Sequence, residues 1–564
     1  MYGLGDMTGD KQTDLVTLLG DDLVMTARSD MLRYCRDWPG DVENIAVAVI
    51  RPRSTEDVSA VVKACASLGL SIIPQGGNTG LVQGGVPDGQ DNLVVLSLER
   101  MNRIRKVDPD DFSAVVDAGC ILSELKDKLA AKGMFFPLAL GAQGSCRIGG
   151  NVSTNAGGIN VLRYGMTREL VLGLEVVLPD GTIFNGLSTL RKDNRGIDLK
   201  QLFIGAEGIM GVVTGVAIKL TPLPDKVEIA LLGLNSLADA IALYRRARVQ
   251  CCDLMSAFEF MPPVAFTLAQ EAMPDLAMPL GQYPAYVLME ISGSGLVDIA
   301  SLMEQFLAGA MEDGLVLDGT IASSRAQGQN LWMFREAMNE GQALRGKHLR
   351  TDISVPLSKL ASFVTEAETE LAEVLPDCLA VSYGHVGDGN VHLNVIPESG
   401  LDVAAVDKRI KLAKETINAV LDRYAGSISA EHGIGRLKRE DFEKRIDPAR
   451  RKLLEGLKLV FDPGNIMNPG CSFRLTLREA DDTPLARVIR EALSFCLVKS
   501  GVMSSFPDAS LPKLRGRSVK VAFCRDKSCR QNIISHKASV SVAQLYVKRL
   551  LSCAMKAWLK LDRE

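Results

Sequence analysis

The chain has 564 residues, 47% hydrophobic and 23% charged, with a formal net charge of −4. These values exclude a disordered, collagen-like or coiled-coil chain and leave ample length for a sizeable core. The 12 cysteines are scattered without CxxC pairs, which fits a reduced chain better than a disulfide scaffold.

In chain order, residues 1–45 read as a helical lead-in whose polar start carries no signal or transit pattern. No apolar run approaches the roughly 18 residues of a membrane span. A cytoplasmic protein is therefore the expectation. A strand is expected over 45–50. Ser54 then takes a helix N-cap position, with Asp57 three residues on and the apolar stripe Val58, Val61, Val62 and Cys65 behind it. Short strands follow over 71–74, 92–98 and 114–117, and a helix is expected from Ser123 to Lys132. Residues 170–178, the Asp180–Gly181 turn and 182–184 read as a hairpin. Pro222 and Pro224 mark a boundary. Beyond it lie a strand over 227–232, a helix over 236–247 and a mixed pattern up to Pro469.

The last stretch, 471–564, holds 18 Lys+Arg against 8 Asp+Glu, a net of +10, so the remainder carries −14. It also holds 5 of the 12 cysteines, and 540–561 reads as a basic amphipathic helix. An accessory extension of unknown role is preferred to a basic arm, and no nucleic-acid partner is expected. Four stretches result: 1–45, 46–224, 225–470 and 471–564.

Three glycine clusters stand out. The first is Pro74, Gln75, Gly76, Gly77, Asn78, Thr79 and Gly80, followed by Gly84 and Gly85. It follows a strand but opens no helix, and neither GxGxxG nor GxxxxGK[ST] fits it. Its consecutive small residues let backbone N–H groups converge on an anion. The second runs from Leu140 through Gly158, and the third from Leu202 to Gly211. Three such loops suit a long, phosphate-bearing ligand.

Three of the 5 histidines fall between residues 385 and 432. The first motif holds His385 and His392, separated by Gly387 and Gly389, whose turn lets the imidazoles approach. The second is Glu431-His432. Two imidazoles and one carboxylate make a three-ligand set for a divalent ion with open positions. His432 is then free to act as a base.

The three loops, in this order, resemble the FAD-binding domain of the vanillyl-alcohol oxidase or PCMH type, over roughly residues 40–225. That resemblance implies that Gln75, Gly76, Gly77, Asn78, Thr79, Gly80 and Leu81 wrap the FAD pyrophosphate. It implies that Gly141, Gly144, Ser145, Gly149, Gly150, Asn151, Thr154, Asn155 and Gly158 line the cofactor in the second loop, and Glu207, Gly208 and Val213 in the third. Covalent members carry a flavin-linked His where this chain has Asn78, so non-covalent FAD is expected; Cys146 is the one other candidate attachment point.

Residues 225–470 look like the C-terminal domain of the FAD-linked D-2-hydroxyacid dehydrogenases, ending in Phe461-Asp-Pro-Gly-Asn-Ile-Met-Asn-Pro-Gly470. Stretches 144–152, 190–205 and 256–260 support the likeness, which is greatest to members acting on D-2-hydroxyglutarate. The implied fold is α+β: a PCMH-type FAD-binding domain followed by an α+β substrate domain. His385, His392 and Glu431 would hold Zn²⁺ or a similar divalent ion, and His432 would be the general base. Arg335, Asn339, Arg350 and Asn394 would bind substrate. Asn339 and Arg350 replace the usual Thr and Lys, and Arg differs from Lys in reach and geometry.

The implied reaction is oxidation of a D-2-hydroxy acid to the 2-oxo acid, with D-2-hydroxyglutarate favoured. The proton goes to His432 and the hydride to flavin. A D-lactate or glycolate dehydrogenase is the alternative, and a non-catalytic flavin-binding subunit of an electron-transfer complex is a second. No Fe–S cysteine run is present, so electrons pass to a separate acceptor: an electron-transfer flavoprotein, a quinone or a cytochrome. A homodimer stays open.

Overall fold

The computed structural model describes residues 6–475. The basic extension, with the helix expected over 540–561, lies outside the described residues. The lead-in supplies helices Asp6–Leu19 and Arg28–Cys35 and a short strand β1 (Val24–Met25). β1 pairs antiparallel with β2 (Ala48–Ile50). β2 and β3 (Ser71–Gln75) flank β4 (Leu93–Ser97), both parallel to it. All five residues of β4 are buried, as expected for a central parallel strand covered on both faces.

Helix Thr55–Ser67 joins β2 to β3 and starts as its sequence dictates. Ser54 accepts a hydrogen bond from the Asp57 N–H, and Asp57 accepts one from the Arg53 N–H. The helix expected from Ser123 differs. It runs Leu122–Ala130 with no side-chain cap, because burial of Leu122, Leu125 and Leu129 sets its start instead of a hydroxyl.

The second sheet is built from β5 (Ile104–Asp108), β6 (Ser113–Asp117), β8 (Val171–Val177), β9 (Ile183–Gly186) and β10 (Val212–Lys219). They are ordered β5-β6-β10-β8-β9, with every pair antiparallel. The β8–β9 hairpin forms as expected: Gly181 adopts φ +80° and Leu178 N–H meets the Thr182 carbonyl. β7 (Met134–Phe135) pairs with β11 (Thr221–Pro222).

Beyond Pro222, β12 (Lys226–Leu234), β13 (Met255–Met261), β14 (Ala285–Gly293) and β15 (Asp318–Ile321) form an antiparallel sheet in the order β13-β14-β12-β15. Alternate residues feed two cores, as the two-residue period of a strand requires. Val287, Met289 and Ile291 face helices Leu237–Gln250 and Ile299–Glu312. Tyr286 and Leu288 face helices Pro263–Ala272 and Arg325–Leu344. The latter two helices nearly touch: a Cβ on Gly341 would lie 1.9 Å from the Leu268 carbonyl oxygen. A smaller sheet, β16 (Ile353–Ser354), β17 (Cys378–Tyr383) and β18 (Asn390–Pro397), is ordered β16-β18-β17.

The chain then returns to its first core. Leu454, Leu457, Phe461, Met467, Cys471 and Phe473 pack with the residues of the first two sheets. Ile72 on β3 donates to the Ile466 carbonyl, and its own carbonyl accepts from Asn468. So the strand that carries the first glycine loop is braced by the far end of the described chain. A buried ammonium completes the brace: Lys458 donates to the Ile209 and Met467 carbonyls at 2.8 and 2.7 Å and to Asp462 at 2.6 Å. Burial pulls its pKa below the ordinary lysine value. Lys458→Met strips those acceptors of their donor and is expected to cost about 3 kcal/mol, read as a lower thermal unfolding midpoint than wild type.

Candidate active site

β17 ends at Tyr383 and β18 begins at Asn390. Between them the chain reverses through a short 3₁₀ turn and Gly389, at φ +82°. Tyr383 and His392 become cross-strand partners, and the ring centroids of His385 and His392 come within 5.8 Å. His432 stacks on His392 at 5.6 Å with an 18° interplanar angle. Glu431 Oε1 lies 3.6 Å from His385 Nε2, 3.9 Å from His392 Nε2 and 4.0 Å from His432 Nε2.

These separations are too long for hydrogen bonds. The two to His385 and His392 are a few tenths of an ångström longer than the about 3.4 Å between ligands held about 2.1 Å from one ion at a tetrahedral angle. The ring orientations agree. His385 Nδ1 donates to Glu259 Oε1 at 2.6 Å, and His392 Nδ1 donates to the Thr351 carbonyl at 3.0 Å. Each ring therefore turns its Nε2 toward Glu431, where the neutral form presents a lone pair. The residues present fit a zinc-like ion.

A second grouping, Asp352, His392 and His432, is also close enough for shared ligation. Asp352 is already saturated. Its Oδ2 accepts the N–H groups of Ala430, Glu431 and His432 at 3.0, 3.0 and 2.8 Å and the Ser429 hydroxyl at 3.1 Å, while Oδ1 takes the Asn390 amide. Three successive N–H groups closing on one oxygen form an anion nest.

The electrostatics follow from these contacts. Burial alone would raise the Asp352 pKa, but His432, Lys438 and the nest hold it well below the carboxylate range. Burial likewise opposes ionisation of Glu431, yet His385 beside it brings its pKa down to about 2. For His392, burial and the neighbouring His432 push the pKa down to about 4, so the ring is neutral at neutral pH. His385 goes the other way: burial disfavours its charge, but Glu259 and Glu431 outweigh that and hold it well above the ordinary value.

The expected substrate contacts partly converge. Helix Arg325–Leu344 aligns Arg335, Asn339 and Gln342 on one face. Arg335 donates from Nε to Glu259 Oε2 at 2.8 Å and sits 4.9 Å from the Tyr383 ring centroid. The Tyr383 hydroxyl donates to Asn339 Oδ1 at 2.8 Å and accepts from Asn394 Nδ2 at 3.1 Å. Asn394 also donates to Gln342 Oε1, and its own Oδ1 accepts the Thr351 N–H. Arg350 is an exposed side chain next to Thr351, near enough for its charge to act on the Tyr383 hydroxyl. Glu259, Asp352 and Gln342 were not anticipated. The available signal for Glu259 was a lone carboxylate amid the apolar run of β13.

The glycine loops meet where β3 ends. Gln75 Nε2 donates to the Tyr34 and Gly85 carbonyls, closing the first loop on itself. Gly76 and Gly77 press on the second loop: a Cβ on Gly77 would lie 2.1 Å from the Ser145 carbonyl oxygen. Asn78, at φ +54°, donates to the Arg36 carbonyl. Thr79, Gly80 and Leu81 complete the turn, and Gly80, Gly141 and Gly144 have open space beside them.

Helix Ile148–Thr154 carries Gly149, Gly150, Asn151 and Thr154, and Asn155 ends it at φ +49°. Cys146 is buried, its pKa raised by that burial, and its sulfur accepts from Asn151. Gly158 N–H donates to Glu431 Oε2 at 2.7 Å, tying the second loop to the proposed ligand. In the third loop, Glu207 turns its carboxylate to the N–H groups of Ile434 and Gly435, at 2.9 and 2.7 Å. Gly208 packs on Pro74, and Val213 is buried in β10.

Comparisons with known proteins agree with this architecture. Residues 46–186 match the family described as FAD binding domain, and 223–471 match FAD linked oxidases, C-terminal domain. A mitochondrial D-2-hydroxyglutarate dehydrogenase of Rattus norvegicus is 40% identical over 441 residues, covering 78% of this chain and 81% of that protein. A putative mitochondrial D-lactate dehydrogenase of Schizosaccharomyces pombe is 36% identical, covering 79% and 85%. A D-2-hydroxyglutarate–pyruvate transhydrogenase of Saccharomyces cerevisiae is 35% identical, covering 80% and 92%. Among solved structures, p-cresol methylhydroxylase matches with a TM-score of 0.66 at 17% identity, covering 84% and 98%, a likeness of fold.

The relatives correct one expectation. The cytoplasmic placement rested on the polar composition of the first residues, whereas relatives matched over about four fifths of the chain are named mitochondrial.

Gly77→Ala drives a methyl group into the Ser145 carbonyl. The variant is expected to purify with less bound flavin than wild type, measured by the ratio of flavin to protein absorbance.

Proposed function

Because this chain belongs to the FAD-linked D-2-hydroxyacid dehydrogenases of the vanillyl-alcohol oxidase type, we propose that its favoured substrate is D-2-hydroxyglutarate and that His432 is the base. It is an FAD-dependent oxidoreductase acting on the CH–OH group of a 2-hydroxy acid. The observation that carries the reading is the convergence of His385, His392, Glu431 and His432 beside Arg335 and Asn394.

When bound, FAD would supply the acceptor for the C2 hydride, and a divalent ion held by His385, His392 and Glu431 would polarise the 2-hydroxyl. The protein does the rest. His432 takes the hydroxyl proton on Nε2, the nitrogen beside Glu431, while Asp352, 3.7 Å from Nδ1, sets a negative charge behind the ring. Arg335 binds a substrate carboxylate with the guanidinium edge that Glu259 leaves free. Asn394 and Asn339, held by Tyr383, offer polar contacts in line with it, and the exposed Arg350 meets the distal carboxylate. These contacts align C2 with the flavin loops.

Two features support non-covalent FAD: Asn78 stands where covalent members carry a histidine, and the Cys146 thiol is buried. Reducing equivalents leave to a separate acceptor, an electron-transfer flavoprotein, a quinone or a cytochrome. The relatives' names support a mitochondrial location. One observation favours a second reading. Arg350 is exposed and reaches the Tyr383 network through its charge alone, so a shorter acid such as D-lactate needs only the hydrogen-bonding contacts inside it.

Anaerobic mixing with a panel of D-2-hydroxy acids tests this. D-2-hydroxyglutarate is expected to bleach the flavin faster than D-lactate or glycolate, and chelation is expected to stop it. His432→Ala is expected to slow bleaching about 10²–10⁴-fold with flavin retained; near-wild-type rates would remove the base assignment. A second expectation concerns protons. The raised pKa of His385 means that a proton competes with the ion at Nε2 already near neutrality. Zinc affinity is therefore expected to fall as pH is lowered, with proton release on uptake, measured by chelator competition.

A further inference from the structure

Glu259 is a carboxylate in the middle of β13, 1% exposed, in a strand otherwise apolar but for Ser256. Its two oxygens have separate partners. Oε1 accepts from His385 Nδ1 at 2.6 Å, and Oε2 accepts from Arg335 Nε at 2.8 Å. Those partners come from opposite sides of the site: the turn after β17 and the helix Arg325–Leu344. The strand also reaches the turn through its backbone, since Phe260 and Gly384 exchange N–H···O bonds. We propose that Glu259 is a positioning residue shared by the two halves of the active site, setting both the ion-facing nitrogen of His385 and the direction of the Arg335 guanidinium. The inference rests on the metal and substrate roles given above to His385 and Arg335.

The chemistry of the two donors makes the carboxylate hard to replace. Arg335 Nε always carries a proton and can only donate. His385 presents an Nε2 lone pair only while its Nδ1 proton has an acceptor. Two donors converging on one side chain require two acceptor oxygens and a negative charge, which glutamate supplies. In Glu259→Gln the single carbonyl oxygen goes to the charged donor, Arg335. The amide NH₂ then faces His385 Nδ1, which must become an acceptor. The ring proton moves to Nε2, the nitrogen that faces Glu431.

The experiment uses the purified full chain with its flavin, and Zn²⁺ as the probe. Glu259→Gln is expected to weaken zinc binding about 10–100-fold in competition with a chromophoric chelator, with the flavin spectrum unchanged. At saturating zinc it is also expected to raise KM for D-2-hydroxyglutarate severalfold with a smaller change in kcat. Arg335→Lys is expected to raise KM and leave zinc affinity unchanged, which separates the two arms. Should Glu259→Gln not retain flavin, Glu259→Asp, with both oxygens withdrawn by one methylene, is read the same way. Wild-type zinc affinity in the Glu259 variant overturns the inference and leaves the metal reading standing. Weakened zinc binding with an unchanged KM at saturating zinc overturns the shared role. A wild-type protein that takes up no zinc overturns the metal reading and the inference together.

Discussion

The buried Asp352 carboxylate is the constraint on which the active site depends. One of its oxygens gathers three consecutive backbone N–H groups, those of Ala430, Glu431 and His432. Without a charge at that point, three part-buried donors would converge with no common acceptor. With it, the segment has one conformation. That conformation places Glu431 over His385 and His392 and stacks His432 on His392. Glu431 and His432, the proposed ligand and base, are adjacent in sequence. The nest lets both reach the same few ångströms of space.

The same segment is held from the flavin side by two more carboxylates. Glu207, from the third glycine loop, accepts the N–H groups of Ile434 and Gly435. Glu431 itself accepts from Gly158 of the second loop. The glycine loops and the segment beside the histidine cluster therefore share hydrogen bonds instead of merely facing each other. Lys458 ties the third glycine loop to the returning chain instead, through carbonyls at Ile209 and Met467. Charge in this chain is used to fix backbone, and the near-neutral total conceals an acidic remainder beside a basic extension.

Much of the fold was legible because its signals are local. Ser54 with Asp57, the Asp180–Gly181 turn and the strand before Gln75 each follow from side chains a few residues apart. The helix at Leu122 was misplaced by one residue because three leucines, not a serine hydroxyl, determine its start. The return of 454–473 to the first core was not legible, since nothing in an amphipathic helix names the surface it will cover. In the site, the residue types and their turn were readable: histidines spaced by glycines predict a reversal, and the reversal occurs. Glu259 was not, although a carboxylate in an apolar strand is a signal, because its partners His385 and Arg335 lie far along the chain.

By itself the sequence determined the chemistry available: three glycine-rich loops, two imidazoles with a carboxylate, a spare histidine and an arginine for a carboxylate. These depend on residue identity and short spacing, which the chain carries directly. Only the tertiary structure decided how the carboxylates divide their work. Asp352, Glu207, Glu259 and Glu431 are chemically alike, yet Asp352 folds a loop, Glu207 bridges to the flavin side, Glu259 orients an imidazole and a guanidinium, and Glu431 keeps one oxygen toward the histidines. That division is set by which donors packing brings within about 3 Å of each oxygen, and no spacing along the chain encodes it.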